Sequence, residues 1–162
     1  MTEAHKTLTK KPAPGTAPTL DRMVCFALYN ASATMTRLYR PLLDPLGLTY
    51  PQYLVMVTLW DGAPRTVGDL GAALGLDSGT LTPLLKRLQA AGFVTRQRDI
   101  ADERRVLIGL TEEGLRLKTA ASGVGEALAC SINLQLDDIV SLNALLRRFT
   151  AGVGDDDSVT AD

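Results

Sequence analysis

The sequence predicts a mainly α-helical protein with one small β-hairpin. Three observations support this fold class: apolar residues recur at helical spacing through most of residues 19–150, two short helical segments joined by a tight turn occupy 66–92, and a charged strand–loop–strand pattern follows at 93–110. Two closely connected helices and a hairpin make a winged helix-turn-helix. The N- and C-terminal helices, which lie outside that unit, are expected to form a helical dimerisation region.

Composition and charge are those of an ordinary globular protein. The chain has 162 residues, of which 46% are hydrophobic and 22% charged, so one domain with a sizeable core is expected. The net charge of −1 does not suggest a nucleic-acid binder, but six basic residues against three acidic ones lie between Lys86 and Arg105. The start of the chain does not resemble a signal peptide, and the longest apolar run, at 53–60, is too short to span a bilayer. We therefore expect a cytoplasmic protein with no membrane contact.

Three regions can be distinguished along the chain. Residues 1–18 are rich in threonine, lysine, proline and alanine and are expected to form a flexible arm. A single winged-helix domain is predicted over 19–151, and the small, acidic residues 152–162 should form a disordered tail. The domain divides into the winged helix-turn-helix and two flanking dimerisation regions, at 49–111, 19–48 and 112–150.

The first two helices are marked by their caps and breakers. The first should run from Thr19 to Leu43, with Pro41 and Pro45 breaking it up. The second should open at Thr49 with a Thr-x-x-Gln capping box and run to about Trp60. The side chains of this second helix that are expected in the core are Leu54, Val55, Val57, Thr58 and Trp60.

The helix-turn-helix is the most strongly marked unit of the chain. Its first helix opens at Thr66, where Asp69 completes a capping-box spacing. Its second helix opens at Asp77-Ser78, both good N-cap residues, and ends at Gly92. Pro83 lies past the first turn, so this helix should start later or bend there. The apolar stripe of the second helix comprises Leu81, Leu84, Leu85 and Leu88.

Two further helices are predicted after the hairpin. A long helix should begin at Thr111 and continue to about Leu134, and a last helix should be capped by Asp137-Asp138. Their apolar seams comprise Leu117, Ala121, Val124 and Leu128 in the first and Ile139, Leu142, Leu146 and Phe149 in the second. Because the terminal helices carry more apolar surface than a small winged domain can bury, we expect a homodimer, which would also suit binding to two DNA half-sites.

The segment Asp77–Leu88 and the wing residues Asp102-Glu103-Arg104 resemble the recognition helix and the Asp-x-Arg wing signature of the MarR family of winged-helix regulators. The resemblance implies a homodimer that binds a pseudopalindromic double-stranded DNA operator, with Asp102 orienting Arg104 towards the minor groove. It implies no cofactor. The base and phosphate contacts that it assigns to the recognition helix are those of Ser78, Thr80, Thr82, Lys86 and Arg87. For Ser78, helix capping is the competing explanation.

The two cysteines, Cys25 and Cys130, are not expected to form a static structural disulfide in a protein of this kind. Free cysteines are commonly buried and inert. Cys25, however, lies near a helix N-terminus, one turn from Arg22 and four residues before Tyr29, and this setting favours the thiolate. His5, the only histidine, lies in the predicted arm, so no histidine-dependent metal or triad site is expected.

Cys25 together with Tyr39 and Tyr50 resembles the organic-hydroperoxide-sensing OhrR branch of the MarR family. The resemblance implies that Tyr39 and Tyr50 hydrogen-bond the Cys25 thiolate and that Tyr29 is a third family tyrosine. It further implies that Cys25 is oxidised to a sulfenic acid, forms a disulfide with Cys130 of the other subunit and thereby releases the operator.

Helix geometry bears on this site. Cys25 and Tyr39 are separated by 14 positions, about 21 Å along a straight helix, and so cannot touch within it. Tyr39 would have to come from the partner chain or from beyond a sharp bend, and the resemblance implies the partner chain.

Three alternatives remain open at this point. A MarR-type repressor could respond to a small phenolic ligand in the dimer cleft, with its cysteines incidental. A thiol peroxidase with multiple turnover would leave the helix-turn-helix unexplained, so no enzyme activity is expected. A dimeric DNA-architectural protein would bind DNA without sequence preference.

Overall fold

The computed structural model of the protein describes residues 19–100, 102–132 and 134–154. Its elements are α1 (Val24–Leu43), α2 (Tyr50–Asp61), β1 (Arg65–Thr66), α3 (Val67–Leu74), α4 (Ser78–Ala90), β2 (Val94–Arg98), β3 (Val106–Leu110), α5 (Glu112–Ala120), α6 (Val124–Ser131) and α7 (Leu136–Gly154). Single 3₁₀ turns precede and follow α1, at Leu20–Arg22 and Asp44–Leu46. The predicted arm, with His5, and residues 155–162 of the predicted tail lie outside the described residues.

The predicted wing is present and belongs to a slightly larger sheet. β2 and β3 form an antiparallel hairpin in which Val94 pairs with Leu110 and Arg98 with Val106. β1 adds to the free edge of β3, which gives the strand order β1-β3-β2. Strand β1 is not predictable from the sequence, because two residues are too few to show an alternating pattern. The sheet fixes the wing to the residues that open α3.

The helix-turn-helix has the predicted caps. The backbone N–H of Asp69 donates to Thr66 Oγ1 and the backbone N–H of Thr66 donates to Asp69 Oδ2, both at 3.0 Å. A Cβ at Gly71 would lie 2.8 Å from the carbonyl oxygen of Leu76, so the tight approach of α3 to the turn requires glycine. α4 begins at Ser78 and continues through Pro83, so the predicted late start is wrong.

The core lies where α2, α3, α4 and the sheet meet. Leu81, Leu85 and Leu88 of α4 are fully buried, as their stripe predicts. In α2 the predicted face is partly wrong: Val57 is 41% exposed, whereas Met56 is fully buried. This helix carries apolar side chains on all of its faces, so the periodicity of the sequence alone does not show which face is buried.

α1 is a continuous helix. It starts at Val24, after the first 3₁₀ turn, and passes through Pro41 to Leu43, so Pro41 does not break it as predicted. The chain turns instead at the second 3₁₀ turn and at Gly47, whose φ of 67° is in the left-handed region that favours glycine. Cys25 and Tyr39 therefore lie on one uninterrupted helix.

The predicted long helix after the wing is two helices. α5 ends at Ala120, a turn follows at 121–123, and α6 begins at Val124. Gly123 and Gly125 flank the new start, and glycine disfavours the interior of a helix. The predicted seam is nevertheless buried at all four positions, Leu117, Ala121, Val124 and Leu128.

α7 is the least covered helix of the structure. None of its described side chains is buried, although several are large and apolar: Leu136 is 74% exposed, Leu145 59% and Phe149 52%. The helix runs to Gly154, past residue 152 where the tail was predicted to begin. Among the described residues no helix is both long and apolar enough to cross a membrane. The apolar face of α7 is therefore left uncovered by the described residues of one copy of the chain.

Candidate DNA-binding surface and thiol site

The recognition helix presents the predicted polar face to solvent. Ser78, Thr80, Lys86 and Arg87 are exposed, and Thr82 is half-buried. The N-cap of this helix is Asp77, not Ser78, because Asp77 Oδ1 accepts the backbone N–H of Thr80 at 2.9 Å.

Two hydroxyls on this face are used within the helix. Thr80 Oγ1 donates to Asp77 Oδ2 at 2.9 Å, and Thr82 Oγ1 donates to the carbonyl oxygen of Ser78 at 2.7 Å. Hydrogen bonds from the backbone N–H and the hydroxyl of Thr80 lower the pKa of Asp77 below its usual 3.8. Each hydroxyl keeps its lone pairs for an incoming donor, while its proton holds the first turns of α4 in place.

The wing tip holds an ion pair between Asp102 and Arg104. Asp102 Oδ1 accepts both the backbone N–H and the Nε–H of Arg104 at 3.1 Å. These side-chain and backbone hydrogen bonds lower the pKa of Asp102, so its carboxylate stays ionised at neutral pH. The Arg104 side chain is still 92% exposed. The predicted contact between the two residues is thus present, and the guanidinium is held in a defined direction while open to solvent.

A cleft of about 520 Å³ lies between the recognition helix and the base of the wing. Arg96, Arg104 and Arg105 line it, facing Thr82 and the first residues of α3. The Nε of Arg96 is buried and has no hydrogen-bond partner among the described residues. Asp69 also lines the cleft, so three arginines and one aspartate share it and its net charge is positive. Arg96 belongs to the predicted basic patch, and its place in the cleft is not evident from the sequence.

The tyrosines predicted to hold the thiolate lie together in the structure. The rings of Tyr39, from α1, and Tyr50, from the start of α2, are stacked with centroids 4.6 Å apart. Tyr53 joins them from the next turn of α2, 5.7 Å from Tyr39. Burial raises the pKa of Tyr39, and its neighbours Tyr50 and Tyr53 raise it further, so the phenol remains a proton donor at neutral pH.

Cys25 is not near these tyrosines within one chain. It is the second residue of α1, exposed, and about 21 Å from Tyr39 along the helix. Tyr29, one turn after Cys25, is 69% exposed and therefore apart from the tyrosine pair as well. Cys130 is exposed on the last turn of α6, a helix that packs against α1. The structure thus brings together Tyr39 and Tyr50 but leaves Cys25, Tyr29 and Cys130 on uncovered surface.

Trp60 connects α2 to the start of α5. Its indole Nε1–H donates to the carbonyl oxygen of Gly114 at 2.8 Å, and Lys118 Nζ donates to the carbonyl oxygen of Trp60 at 3.0 Å. Thr111 Oγ1 in turn donates to the carbonyl oxygen of Gly92, just beyond the recognition helix, at 2.6 Å. The predicted role of Trp60 was packing alone; its hydrogen-bond partner lies 54 positions away, and nothing in the local sequence indicates it.

Comparison with known proteins identifies relatives of this chain. The family of the transcriptional regulators SarA and Rot matches residues 37–120, just over half of the chain. The organic hydroperoxide resistance transcriptional regulator of Bacillus subtilis is 53% identical over 102 residues, 63% of this chain and 69% of the relative. The chain belongs to the MarR family of winged-helix transcriptional regulators.

Solved structures of MarR-family proteins agree with this assignment. Reduced AbfR of Staphylococcus epidermidis bound to DNA has a TM-score of 0.70 and 36% identity, over 83% of this chain and 94% of AbfR. AbfR in its disulfide form has a TM-score of 0.60 and 37% identity, over 81% of this chain and 92% of AbfR. A mutant MarR from E. coli in complex with operator DNA has a TM-score of 0.73 and 28% identity, over 82% and 99%. These are regulators, which confirms the expectation that this MarR-family chain is not an enzyme.

Proposed function

We propose that the protein is a homodimeric repressor that binds a pseudopalindromic DNA operator and releases it when an organic hydroperoxide oxidises Cys25. The observation that carries the proposal is that Cys25 lies far from the stacked Tyr39–Tyr50 pair of its own chain. A second copy that covers the open faces of α1 and α7 would bring its own Cys25 to this pair. Tyr29 would then complete the surroundings of the thiol.

The chemistry follows from a thiolate held by phenol donors. The Cys25 sulfur attacks the outer oxygen of the hydroperoxide, so an S–O bond forms and the O–O bond breaks. The leaving alkoxide takes a proton and departs as the alcohol, and Cys25 is left as a sulfenic acid. The thiol of Cys130 of the partner subunit then displaces water from that sulfur and forms a disulfide. This step requires the two Cα atoms to come within about 7 Å.

The DNA-binding half of the proposal assigns the polar face of α4 to the major groove. Lys86 and Arg87 would contact phosphates, and the hydroxyls of Ser78, Thr80 and Thr82 would contact base edges or phosphates. Arg104 would enter the minor groove, with Asp102 holding its direction. AbfR and MarR, which share this fold, have been solved with DNA.

Hydrogen bonds supply a route from oxidation to release. Cys130 lies on α6, directly after α5, and the start of α5 is tied to Gly92 and to the carbonyl oxygen of Phe93, which accepts the backbone N–H of Thr111 at 3.1 Å. A disulfide that pulls α6 towards the partner would strain these links. The recognition helix, which ends at this junction, would then leave its register with the operator.

The test compares wild type with Cys25→Ser and Cys130→Ser after one equivalent of cumene hydroperoxide. Operator binding is measured by fluorescence anisotropy, and covalent state by a non-reducing denaturing gel. Wild type should form a thiol-reversible covalent dimer and lose operator affinity, and neither variant should form the dimer. Intact operator binding by a fully disulfide-linked wild type would contradict the proposal.

The basic cleft supports a second candidate function. A regulator that responds to a small phenolic acid could bind its carboxylate in this cleft, among the guanidinium groups of Arg96, Arg104 and Arg105. In that case a hydroxybenzoate would weaken operator binding by wild type and by Cys25→Ser equally, and Arg96→Gln would abolish the response. A response that requires Cys25 instead favours the hydroperoxide sensor.

A further inference from the structure

A third aromatic contact extends the tyrosine pair into the body of the protein. Tyr53 is half-buried, and its ring centroid lies 5.7 Å from that of Tyr39 at an interplanar angle of 44°. On its other side Tyr53 meets Trp60 edge-on, with centroids 6.2 Å apart and an angle of 68°. Tyr50, Tyr39, Tyr53 and Trp60 therefore form a continuous row of rings, which we call the aromatic row.

Both ends of the aromatic row are fixed. At one end Tyr39 and Tyr50 stack on each other across the junction of α1 and α2. At the other end the indole N–H of Trp60 is held by the carbonyl oxygen of Gly114 at 2.8 Å. Tyr53 links the stacked pair to Trp60, since the described ring contacts join Tyr39 to Tyr53 and Tyr53 to Trp60.

The orientation of Tyr39 needs such a support. Tyr39 lies near the C-terminal end of α1 and packs against the core, but its side chain is only half-buried, so the core and Tyr50 do not enclose the ring. A phenol that donates to a sulfur anion must keep its direction, because hydrogen bonds weaken steeply as they bend. A second ring at a tilt restricts the motion of the Tyr39 ring.

We propose that Tyr53 is a positioning residue of the thiolate site, and that its ring holds Tyr39 in the orientation that meets Cys25 of the partner subunit. This role rests on the proposed hydroperoxide-sensing function. It is carried by the ring of Tyr53 and not by its hydroxyl. Burial raises the pKa of Tyr53, with Tyr50 raising it further, so Tyr53 adds no negative charge beside the thiolate at neutral pH.

The test separates ring from hydroxyl. Tyr53→Phe keeps the ring, Tyr53→Leu removes it, and Phe93→Leu is the matched control, a half-buried aromatic outside the aromatic row. The reduced dimer of each variant receives cumene hydroperoxide, and the rate of Cys25 thiol loss is followed as a function of pH. Operator binding by the reduced protein checks that each variant is folded.

Tyr53→Leu should oxidise about two- to tenfold more slowly at pH 7, the range that corresponds to an aromatic pair energy, with its pH profile displaced upward. Tyr53→Phe should oxidise within about twofold of wild type, and Phe93→Leu should keep the wild-type pH profile. A folded Tyr53→Leu with the wild-type rate and profile would overturn the positioning role. Equal slowing in Tyr53→Phe and Tyr53→Leu would also overturn it, because the hydroxyl would then be the active group.

Tyr39→Phe distinguishes failure of this inference from failure of the proposed function. If Tyr39→Phe slows oxidation and Tyr53→Leu does not, only the positioning role is wrong. If neither variant slows oxidation, the tyrosine site itself is wrong.

A second measurement tests the ring contact itself. Trp60 is the only tryptophan of the chain and contacts Tyr53, so its fluorescence reports on the aromatic row. In the reduced dimer its emission should change in Tyr53→Leu and stay as in wild type in Phe93→Leu. Unchanged emission in Tyr53→Leu would overturn the role, because Tyr53 would then not join Tyr39 to Trp60. If Tyr53→Leu does not fold, the same measurements are made with Tyr53→Met, which also removes the ring.

Discussion

The winged half and the terminal helices of this chain differ in how fully one copy of the chain buries their apolar side chains. In the recognition helix, Leu81, Leu85 and Leu88 are fully buried by the chain's own core. In α7, by contrast, Leu145 and Phe149 are more than half exposed and no described side chain is buried. One copy of the chain therefore buries the core of its winged half, the finished half, but leaves the apolar faces of its terminal helices, the unfinished half, partly uncovered.

This difference shows where the second subunit is needed. Tyr39 and Tyr50 pack against the core at the junction of α1 and α2, whereas Cys25, also on α1, lies on its open surface. In the proposed function the sensing site takes residues from both subunits, so it responds only in the dimer. Only a dimer presents two recognition helices to an operator. Dependence of sensing and of DNA binding on the same interface is the expected consequence.

The largest effect should come from the finished half. Leu85→Ala removes a fully buried side chain from α4 and should lower the free energy of unfolding by about 2–5 kcal/mol. Urea denaturation at several protein concentrations measures it. The loss should be the same at every concentration, because this side chain is already covered within one chain; a loss confined to low concentration would contradict the comparison.

The same substitution in the unfinished half should act differently. Leu145→Ala should weaken the dimer by about tenfold or more, because Leu145 is 59% exposed in one copy and would be buried by the partner in the proposed dimer. Sedimentation velocity over a dilution series measures the monomer–dimer equilibrium. An unchanged equilibrium would remove this face of α7 from the interface.

The wing should contribute a smaller, salt-dependent effect. Arg104→Ala should weaken operator binding about tenfold and reduce the dependence of affinity on salt. Asp102→Asn should weaken it less, since Arg104 keeps its charge and loses only its hydrogen-bonded direction. Anisotropy titrations at about 50 to 200 mM salt give the slope of affinity against salt concentration for both variants. If Arg104→Ala binds like wild type, the wing does not contact DNA.

The link between α2 and α5 should be worth about one hydrogen bond. Trp60→Phe keeps a ring but removes the donor to Gly114, and should cost about 1 kcal/mol of unfolding free energy. It should also reduce the change in operator affinity on oxidation, since α5 would be less firmly coupled to the core. Thermal denaturation and anisotropy before and after oxidation test the two effects. Full loss of operator affinity on oxidation of Trp60→Phe would exclude this link from the response.

The smallest effect should be the acid sensitivity of the α4 cap. The pKa of Asp77 is lowered by Thr80, so its stabilisation is present above the unfolded value near 3.8 and is lost as the pH falls through the lower folded value. The melting temperatures of wild type and Asp77→Asn should therefore differ at pH 6. They should converge as the pH falls below the pKa of Asp77 in the folded protein. A difference that persists in strong acid would contradict the assignment of the cap.

Sequence patterns predicted most of the winged half, because its caps and stripes are local. The Thr66–Asp69 box, the Asp77 cap and the leucine stripe of α4 each depend on residues within a few positions of one another. The Asp102–Arg104 pair is equally local. At Pro83, inside α4, the suggested later start is wrong, and the helix begins at Ser78 as its cap residues predict.

The remaining features depend on distant parts of the chain. The break between α5 and α6 lies at a glycine whose effect depends on how α6 packs against α1, and strand β1 exists only because β3 offers a free edge. The Trp60–Gly114 hydrogen bond joins residues 54 positions apart. For the thiol site, the family resemblance supplied Tyr39, Tyr50 and Cys130, while the contact of Tyr53 with both Tyr39 and Trp60 became visible only in three dimensions.

The central claim is that the sensing site is assembled from two subunits, and a mixed dimer tests it most directly. Cys25→Ser and Cys130→Ser subunits, each with a different affinity tag, are co-expressed, and the mixed dimer is purified and treated with one equivalent of cumene hydroperoxide. The mixed dimer holds one Cys25 and one Cys130, on different chains. The account predicts a covalent, thiol-reversible dimer that contains one copy of each variant. Loss of the Cys25 thiol without any covalent dimer, while wild type forms a disulfide, would show that the disulfide forms within one chain and would contradict the account.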